Sequence, residues 1–244
     1  MKAMVLAAGE GTRLRPLTNT VPKVLLPVGG LPLIRHILSW LKSHGIRDVV
    51  INLHYLGDRI REELRDGSGL GVDITYSSEE TILGTAGGVR RMAAFFDGPF
   101  IVHYGDVLTD FSLTDMVRFH REKQALATLS VLRVSRPRVA GVVEMDADGR
   151  VTSFVEKPAE RPVSASLESG GTYVLDPAVL EHIPADRPSD FGHDVLPDLV
   201  RARIPVYGYV LRQTDYLVDI GSHEKYRQAN RDMAARRIRI GASG

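Results

Sequence analysis

Leu6-Ala7-Ala8-Gly9-Glu10-Gly11-Thr12-Arg13-Leu14-Arg15-Pro16-Leu17-Thr18, closed by Pro22-Lys23, is the stretch from which the rest of the chain can be read. It follows an apolar run, Ala3 to Leu6, that reads as a buried strand, and precedes an apolar-periodic segment from Leu33 that reads as a helix. Strand, glycine loop and cations in that order suggest a phosphate site. Glycines let backbone N–H groups approach a polyphosphate, and Arg13, Arg15 and Lys23 can neutralise its charge. The glycines alone are a weak signal, compatible with a simple turn. A dinucleotide fingerprint needs a small residue at position 14, where Leu14 stands, and a P-loop needs Gly-Lys-Ser/Thr, which is missing. Both of those phosphate chemistries are therefore disfavoured.

Working outward, strand-like and helix-like segments alternate. Leu33, Ile34, Ile37, Leu38 and Leu41 share a helical face that Gly45 terminates, and Asp48 to Asn52 reads as the next strand. A short helix around Ile60 and Leu64, a strand from Val72 to Tyr76, a helix from Thr85 to Phe95 and a strand from Phe100 to His103 follow. Ser112 with Asp115 resembles a capping box for a helix Leu113 to Lys123 before the strand Ala127 to Leu132. Such alternation predicts an α/β, Rossmann-like fold: an open, mostly parallel sheet with helices on both faces and ligands beyond the carboxyl ends of the strands. Further on, Val142 to Met145 and Val151 to Val155 read as a hairpin turned by Asp146-Ala147-Asp148-Gly149, part of a smaller inserted β subdomain. Helices from Pro177 and from Asp194 to Arg201, and strands at Tyr173 to Leu175, Val206 to Leu211 and Leu217 to Ile220, complete the pattern. No linker divides the chain, so residues 1–230 are expected to form one domain, and residues 231–244 a basic tail that frays as a solvated helix end.

Composition narrows the function. With 244 residues, 43% of them hydrophobic and 25% charged, the chain can bury a sizeable core. Its 31 basic and 30 acidic side chains nearly cancel, so no global field favours nucleic acid or an anionic membrane as partner. Zero cysteines exclude disulfides, thiolate metal sites and cysteine nucleophiles. With no secretory leader or membrane-length apolar run, the expected location is cytoplasmic. The eight histidines show no metal-ligand spacing, and no Gly-x-Ser-x-Gly supports a serine triad.

Several separated motifs then agree. Gly9 to Thr18 with Pro22-Lys23 resembles the signature of the sugar nucleotidyltransferases, the nucleoside-diphosphate-sugar pyrophosphorylases, and landmarks continue in order to about Asn230. The resemblance implies that Leu6, Ala8, Gly9, Gly11, Thr12, Arg13 and Lys23 bind the nucleotide. It also gives catalytic roles to Arg13, on the phosphates, to Lys23, on the reacting phosphate, and to Asp106. Tyr104-Gly105-Asp106 and Leu217-Val218-Asp219-Ile220-Gly221 each place a carboxylate after an apolar strand, and Asp106 and Asp219 match the family's Mg²⁺ ligands. Mg²⁺ accepts a few carboxylates beside phosphate oxygens and water, which suits that pair. Glu79 and Leu83-Gly84-Thr85-Ala86-Gly87 match the segments that contact base and ribose, and their wording is most like the guanylyltransferases, so GTP is favoured. Glu156-Lys157-Pro158 matches a motif whose glutamate binds sugar hydroxyls and whose lysine holds the sugar phosphate, with Gly141 and Gly171 lining that pocket.

Two departures, Ala140 where many members have tyrosine and Ser169 where many have asparagine, leave the sugar open. The alternatives are a uridylyl- or thymidylyltransferase, or a silent nucleotide-sugar-binding subunit. The expected partners are an NTP and a sugar 1-phosphate. A homo-oligomer is compatible with the chain, and a C-terminal left-handed β-helix of the kind many relatives carry is not expected.

Overall fold

The computed structural model describes residues 1–134, 141–158, 167–185 and 187–239. In chain order the strands are β1 (Ala3–Leu6), β2 (Pro27–Val28), β3 (Leu31–Pro32), β4 (Asp48–Leu53), β5 (Asp73–Ser78), β6 (Phe100–Tyr104), β7 (Val107–Thr109), β8 (Ala127–Arg133), β9 (Val142–Met145), β10 (Val151–Val155), β11 (Leu167–Leu175), β12 (Val206–Val210) and β13 (Leu217–Asp219). The α-helices are α1 (Leu33–Ser43), α2 (Gly57–Leu64), α3 (Gly84–Arg91), α4 (Leu113–Glu122), α5 (Leu196–Arg201) and α6 (His223–Ala234). The chain forms two compact units, one of residues 1–82, 103–113 and 213–244, the other of residues 83–102 and 114–212.

In the first unit, β4 pairs in parallel with β1 on one side and β5 on the other, Val5 opposite Ile51 and Ile51 opposite Tyr76. Ala3, Met4 and Val5 of β1 and Val49 to Ile51 of β4 are fully buried. Such continuous apolar runs are expected of parallel strands covered on both faces. Helix α1 buries Leu33, Ile34, Ile37, Leu38, Trp40 and Leu41, each contributing about 1.5–3 kcal/mol. It ends as predicted at Gly45, whose φ of 77° lets its N–H and that of Ile46 bond back to the carbonyls of Lys42 and Leu41. Trp40 donates its indole N–H to the Phe111 carbonyl at 3.0 Å and packs on His103 with ring centroids 5.0 Å apart.

The antiparallel pair β7 and β13 sets Asp219 opposite Val107, and the Ile220 N–H donates to the Asp106 carbonyl at 2.8 Å. β7 is too short to announce itself by alternation. Helix α6 runs through Arg231 to Ala234, so the boundary expected there falls inside a helix. Residues 235–239, expected to fray, are held in place. Asp232 pairs with Arg237 at 3.0 Å and accepts from the Tyr216 hydroxyl, Ile238 is buried, and the Arg239 N–H donates to Asp110. Burial first, and then the bond to Asp232, push the Tyr216 phenol well above its ordinary pKa. Buried Asp232, paired with Arg237, and the Asp110 carboxylate, bonded to the Arg239 backbone, hold residues 235–239.

The second unit carries β8 to β12 with α3, α5 and most of α4. β12 lies parallel to β8 on one edge, and β11 antiparallel to β8 on the other. β9 and β10 form the predicted hairpin, Phe154 opposite Val143, and Asp146 closes its turn by accepting from the N–H groups of Asp148 and Arg150. The helix expected from Pro177 is a 3₁₀ segment, Pro177–His182, capped by Asp176, and the one expected from Asp194 starts as a π turn at Phe191–Val195. A fold of the expected α/β class results, and no helix of the described residues is long and apolar enough to cross a membrane.

Candidate active site

The first unit gathers the loop after β1, the β6–β7 turn and the β13–α6 junction. The loop folds into three 3₁₀ turns, Thr12–Leu14, Leu17–Asn19 and Lys23–Leu25. Gly11 has φ 65°, and a Cβ there would lie 3.0 Å from Thr18 Cγ2 and 3.1 Å from Lys23 Cβ, so the loop closes on itself only around glycine. The Thr18 hydroxyl donates to the Gly11 carbonyl at 2.9 Å, fixing that closure. The opening N–H groups of a short turn have no partner within it. Accordingly, among the described residues no backbone hydrogen bond engages the N–H groups of Gly9, Gly11, Thr12 or Arg13.

Lys23 forms an ion pair with Asp106, their side chains 14% and 24% exposed. Burial opposes the charge on Asp106, but the Lys23 ammonium, its hydrogen bond and the Arg13 guanidinium outweigh burial and hold the carboxyl below the usual range. Gly105 permits this approach: its N–H donates to the Leu6 carbonyl at 2.9 Å, and a Cβ there would lie 2.6 Å from that oxygen. Asp219 accepts from the Gly221 N–H at 3.0 Å and pairs with Lys225 of α6. Arg13 reaches the same corner, because a Cβ on Gly221 would stand 2.8 Å from its guanidinium and 2.7 Å from Asp219 Oδ1.

Arg13, Lys23, Asp106 and Asp219, separated by up to 206 positions in sequence, thus converge. Lys225 was not foreseen; its only signal is a cation in the first turn of a helix, where the dipole disfavours one. Leu6 ends β1 and Ala8 is buried beside it. Glu79, 4% exposed, accepts from Asn52 Nδ2 at 2.8 Å, while Asn52 Oδ1 accepts from the Ala7 N–H at 2.7 Å. Asn52, also unforeseen, therefore ties Glu79 to the loop.

In the second unit, Gly84 opens α3 at φ 77°, and a Cβ there would lie 2.4 Å from the Ser189 carbonyl. That carbonyl accepts from the N–H groups of Ala86 and Gly87, while Asp190 accepts from both the N–H and the hydroxyl of Thr85. These donors are committed to Ser189 and Asp190, so what the segment offers a ligand is chiefly its shape. Asp190 escaped notice because nothing near it in sequence marks it as the partner of a helix 105 positions earlier.

Glu156 sits against two glycines. A Cβ on Gly141 or Gly192 would lie 2.9 or 2.7 Å from its Oε2, so both must stay bare for the carboxylate to occupy its place. Lys157 lies 3.6 Å from Glu156 and, though followed by proline, holds φ 45°. A non-glycine residue in that region costs about 1–3 kcal/mol and is characteristic of functional sites. Gly171, at φ 74°, lies within a register shift of β11 between Ser169 and Tyr173, a bulge that re-aims the neighbouring side chains. The Ser169 hydroxyl is buried without a partner among the described residues. Ala140 lies outside the described residues.

A family model described as nucleotidyl transferase matches residues 2–236. The chain belongs to the nucleotidyl transferase family. Among curated relatives, the UTP–glucose-1-phosphate uridylyltransferase of Synechocystis sp. is 38% identical over 98% of this chain and 65% of its own length. The mannose-1-phosphate guanylyltransferase of Mycobacterium tuberculosis is 37% identical over 95% of this chain and 64% of its own. The chain thus spans slightly less than two thirds of either relative. Among solved structures, a Bacillus anthracis protein assigned as a glucose-1-phosphate thymidylyltransferase superposes with a TM-score of 0.85 at 28% identity, covering 99% of this chain and 97% of that one. Its similarity supports the Rossmann-like nucleotidyltransferase fold. The three names carry three different nucleobases.

Proposed function

We propose that this chain transfers the nucleotidyl group of an NTP, with GTP preferred, to a sugar 1-phosphate, forming a nucleoside-diphosphate sugar and releasing pyrophosphate. The observation that carries the reading is the convergence of Arg13, Lys23, Asp106 and Asp219 beside a loop with unengaged N–H groups. A sugar-phosphate oxygen attacks the α-phosphorus in line, and the bond from that phosphorus to the β-bridging oxygen breaks, so no covalent enzyme intermediate is required. Catalysis is then positioning and charge neutralisation.

The N–H groups of Gly9, Gly11 and Thr12 cradle the triphosphate, Arg13 takes up the charge of the leaving pyrophosphate, and Lys23 offsets charge at the α-phosphate. Two carboxylates and no nitrogen ligand make Asp106 and Asp219 a donor set suited to Mg²⁺, and no cluster of three or more His, Asp or Glu able to hold a metal occurs among the described residues. A cation here would complete its shell with phosphate oxygens and water. When bound, Mg²⁺ supplies charge neutralisation at the reacting phosphates. Leu6 and Ala8 are assigned to nucleotide binding, as are Gly84, Thr85 and Ala86. Glu156 binds sugar hydroxyls, Lys157 the sugar phosphate, and Gly141 and Gly171 leave room for the ring. The unpartnered Ser169 hydroxyl supports a polar substrate group nearby, since buried polar atoms are rarely left unsatisfied. Residues 1–230 supply every one of these groups.

Glu79 supports GTP. An ionised carboxylate only accepts hydrogen bonds, and guanine presents two adjacent donors, N1–H and the 2-amino group, where uracil and thymine present one N–H between two carbonyls. Glu79→Gln converts one acceptor to a donor and is expected to lower the GTP-over-UTP ratio of kcat/KM by about tenfold or more. The Synechocystis relative makes UTP the rival. An unchanged ratio, or UTP as the better substrate of the unaltered protein, overturns the base assignment. Lys23→Ala and Asp106→Asn test the class: each should lower kcat by about a hundredfold or more with folding intact, and ordinary turnover in both refutes the site. A silent binding subunit has no need of all the charged groups retained here.

A further inference from the structure

Both carboxylates assigned to the metal are engaged by lysines, Asp106 by Lys23 and Asp219 by Lys225. With Arg13 at the same corner, three cations face two anions, so the substrate-free site carries a net positive charge. Lys225 occupies the first turn of α6, where Ser222 caps the helix by accepting the Lys225 N–H at 3.3 Å. A cation is electrostatically misplaced at a helix N-terminus. Its ion pair with Asp219, whose other oxygen is taken by the Gly221 N–H, offsets that cost.

On the reading of Asp106 and Asp219 as the Mg²⁺ ligands, we propose that Lys225 is an internal competitor for the divalent cation. It occupies Asp219 until a polyphosphate arrives and draws the lysines onto its own oxygens. Free divalent cation then binds the empty protein weakly, and nucleotide and metal are taken up together. The physical basis is exchange of partners. Negative charge on the nucleotide frees the carboxylates, whereas a lone dication must displace an ammonium already in contact. Lys23 is assigned to the reacting phosphate as well as to Asp106, so Lys225 is the member of the pair whose removal leaves the proposed catalytic groups in place.

The test uses Mn²⁺ as a paramagnetic probe, its binding to the full chain followed by electron paramagnetic resonance with and without a non-hydrolysable GTP analogue. Without nucleotide, Lys225→Gln should tighten Mn²⁺ binding by about tenfold or more, Lys225→Arg should leave it weak, and the difference should shrink once the analogue is bound. Equal nucleotide-free affinity in unaltered protein and Lys225→Gln overturns the proposal while leaving the metal site standing. Asp219→Asn separates the two failures: if it leaves Mn²⁺ binding in the presence of the analogue unchanged, the metal-site reading falls and the competitor role with it. Thermal melting of each variant checks that the fold is retained.

Discussion

His103 is fully buried at the end of β6, three positions before Asp106, with its Nε2 3.0 Å from the Val107 carbonyl. Burial, only partly offset by that bond and by Asp106, pushes its pKa from the ordinary value of 6.5 down to about 4. The imidazole therefore binds its proton more tightly in the unfolded chain than in the folded one. Stability from the neutral form is fully present above about pH 6.5 and is lost as the pH falls towards 4. At about 1.36 kcal/mol per pKa unit, the full loss is about 3 kcal/mol, a large part of the roughly 5–15 kcal/mol of a typical domain. About 2 kcal/mol of it is expected between pH 7 and 4.5.

Buried His120 titrates in the same direction, so the diagnostic is a comparison. Urea unfolding at both pH values should show a pH dependence about 2 kcal/mol smaller in His103→Gln, which keeps a side-chain donor without the titration. Trp40, the single tryptophan, packs on His103 and reports the transition by fluorescence. An identical pH dependence in the variant refutes the assignment.

Three further outcomes follow from the site. Gly105→Ala places a methyl 2.6 Å from the Leu6 carbonyl and should cost about 1–3 kcal/mol in urea unfolding together with a fall in kcat, because the turn carrying Asp106 must shift. Asn52→Ala leaves the Ala7 N–H without its acceptor and Glu79 without the Asn52 donor; a loss of about 1–3 kcal/mol and a raised KM for nucleotide are expected from melts and steady-state kinetics. Asp110→Ala removes the acceptor of the Tyr216 and Arg239 N–H groups, so limited proteolysis should cut the residues after α6 sooner.

Much of this molecule was legible in sequence because its parallel strands are short apolar runs between glycines and an amphipathic helix. β1, α1 and β4 could be located to within a residue or two for that reason. The glycine loop after β1 was legible for a different one: its closure around Gly11 needs glycine. What escaped depends on distant partners. β7 exists because β13 pairs with it, residues 235–239 are held by Asp110 and Asp232, and Thr85 is engaged by Asp190. Nothing in the sequence around Lys225 marks it as the partner of Asp219, which only the fold sets against it.

The central claim is tested most directly by pyrophosphate release with Mg²⁺, measured for GTP, UTP, dTTP and ATP against a panel of sugar 1-phosphates. The account predicts release that requires both substrates, is fastest with GTP and is lost in Lys23→Ala. No release above background from any pair, with the protein folded, would contradict it.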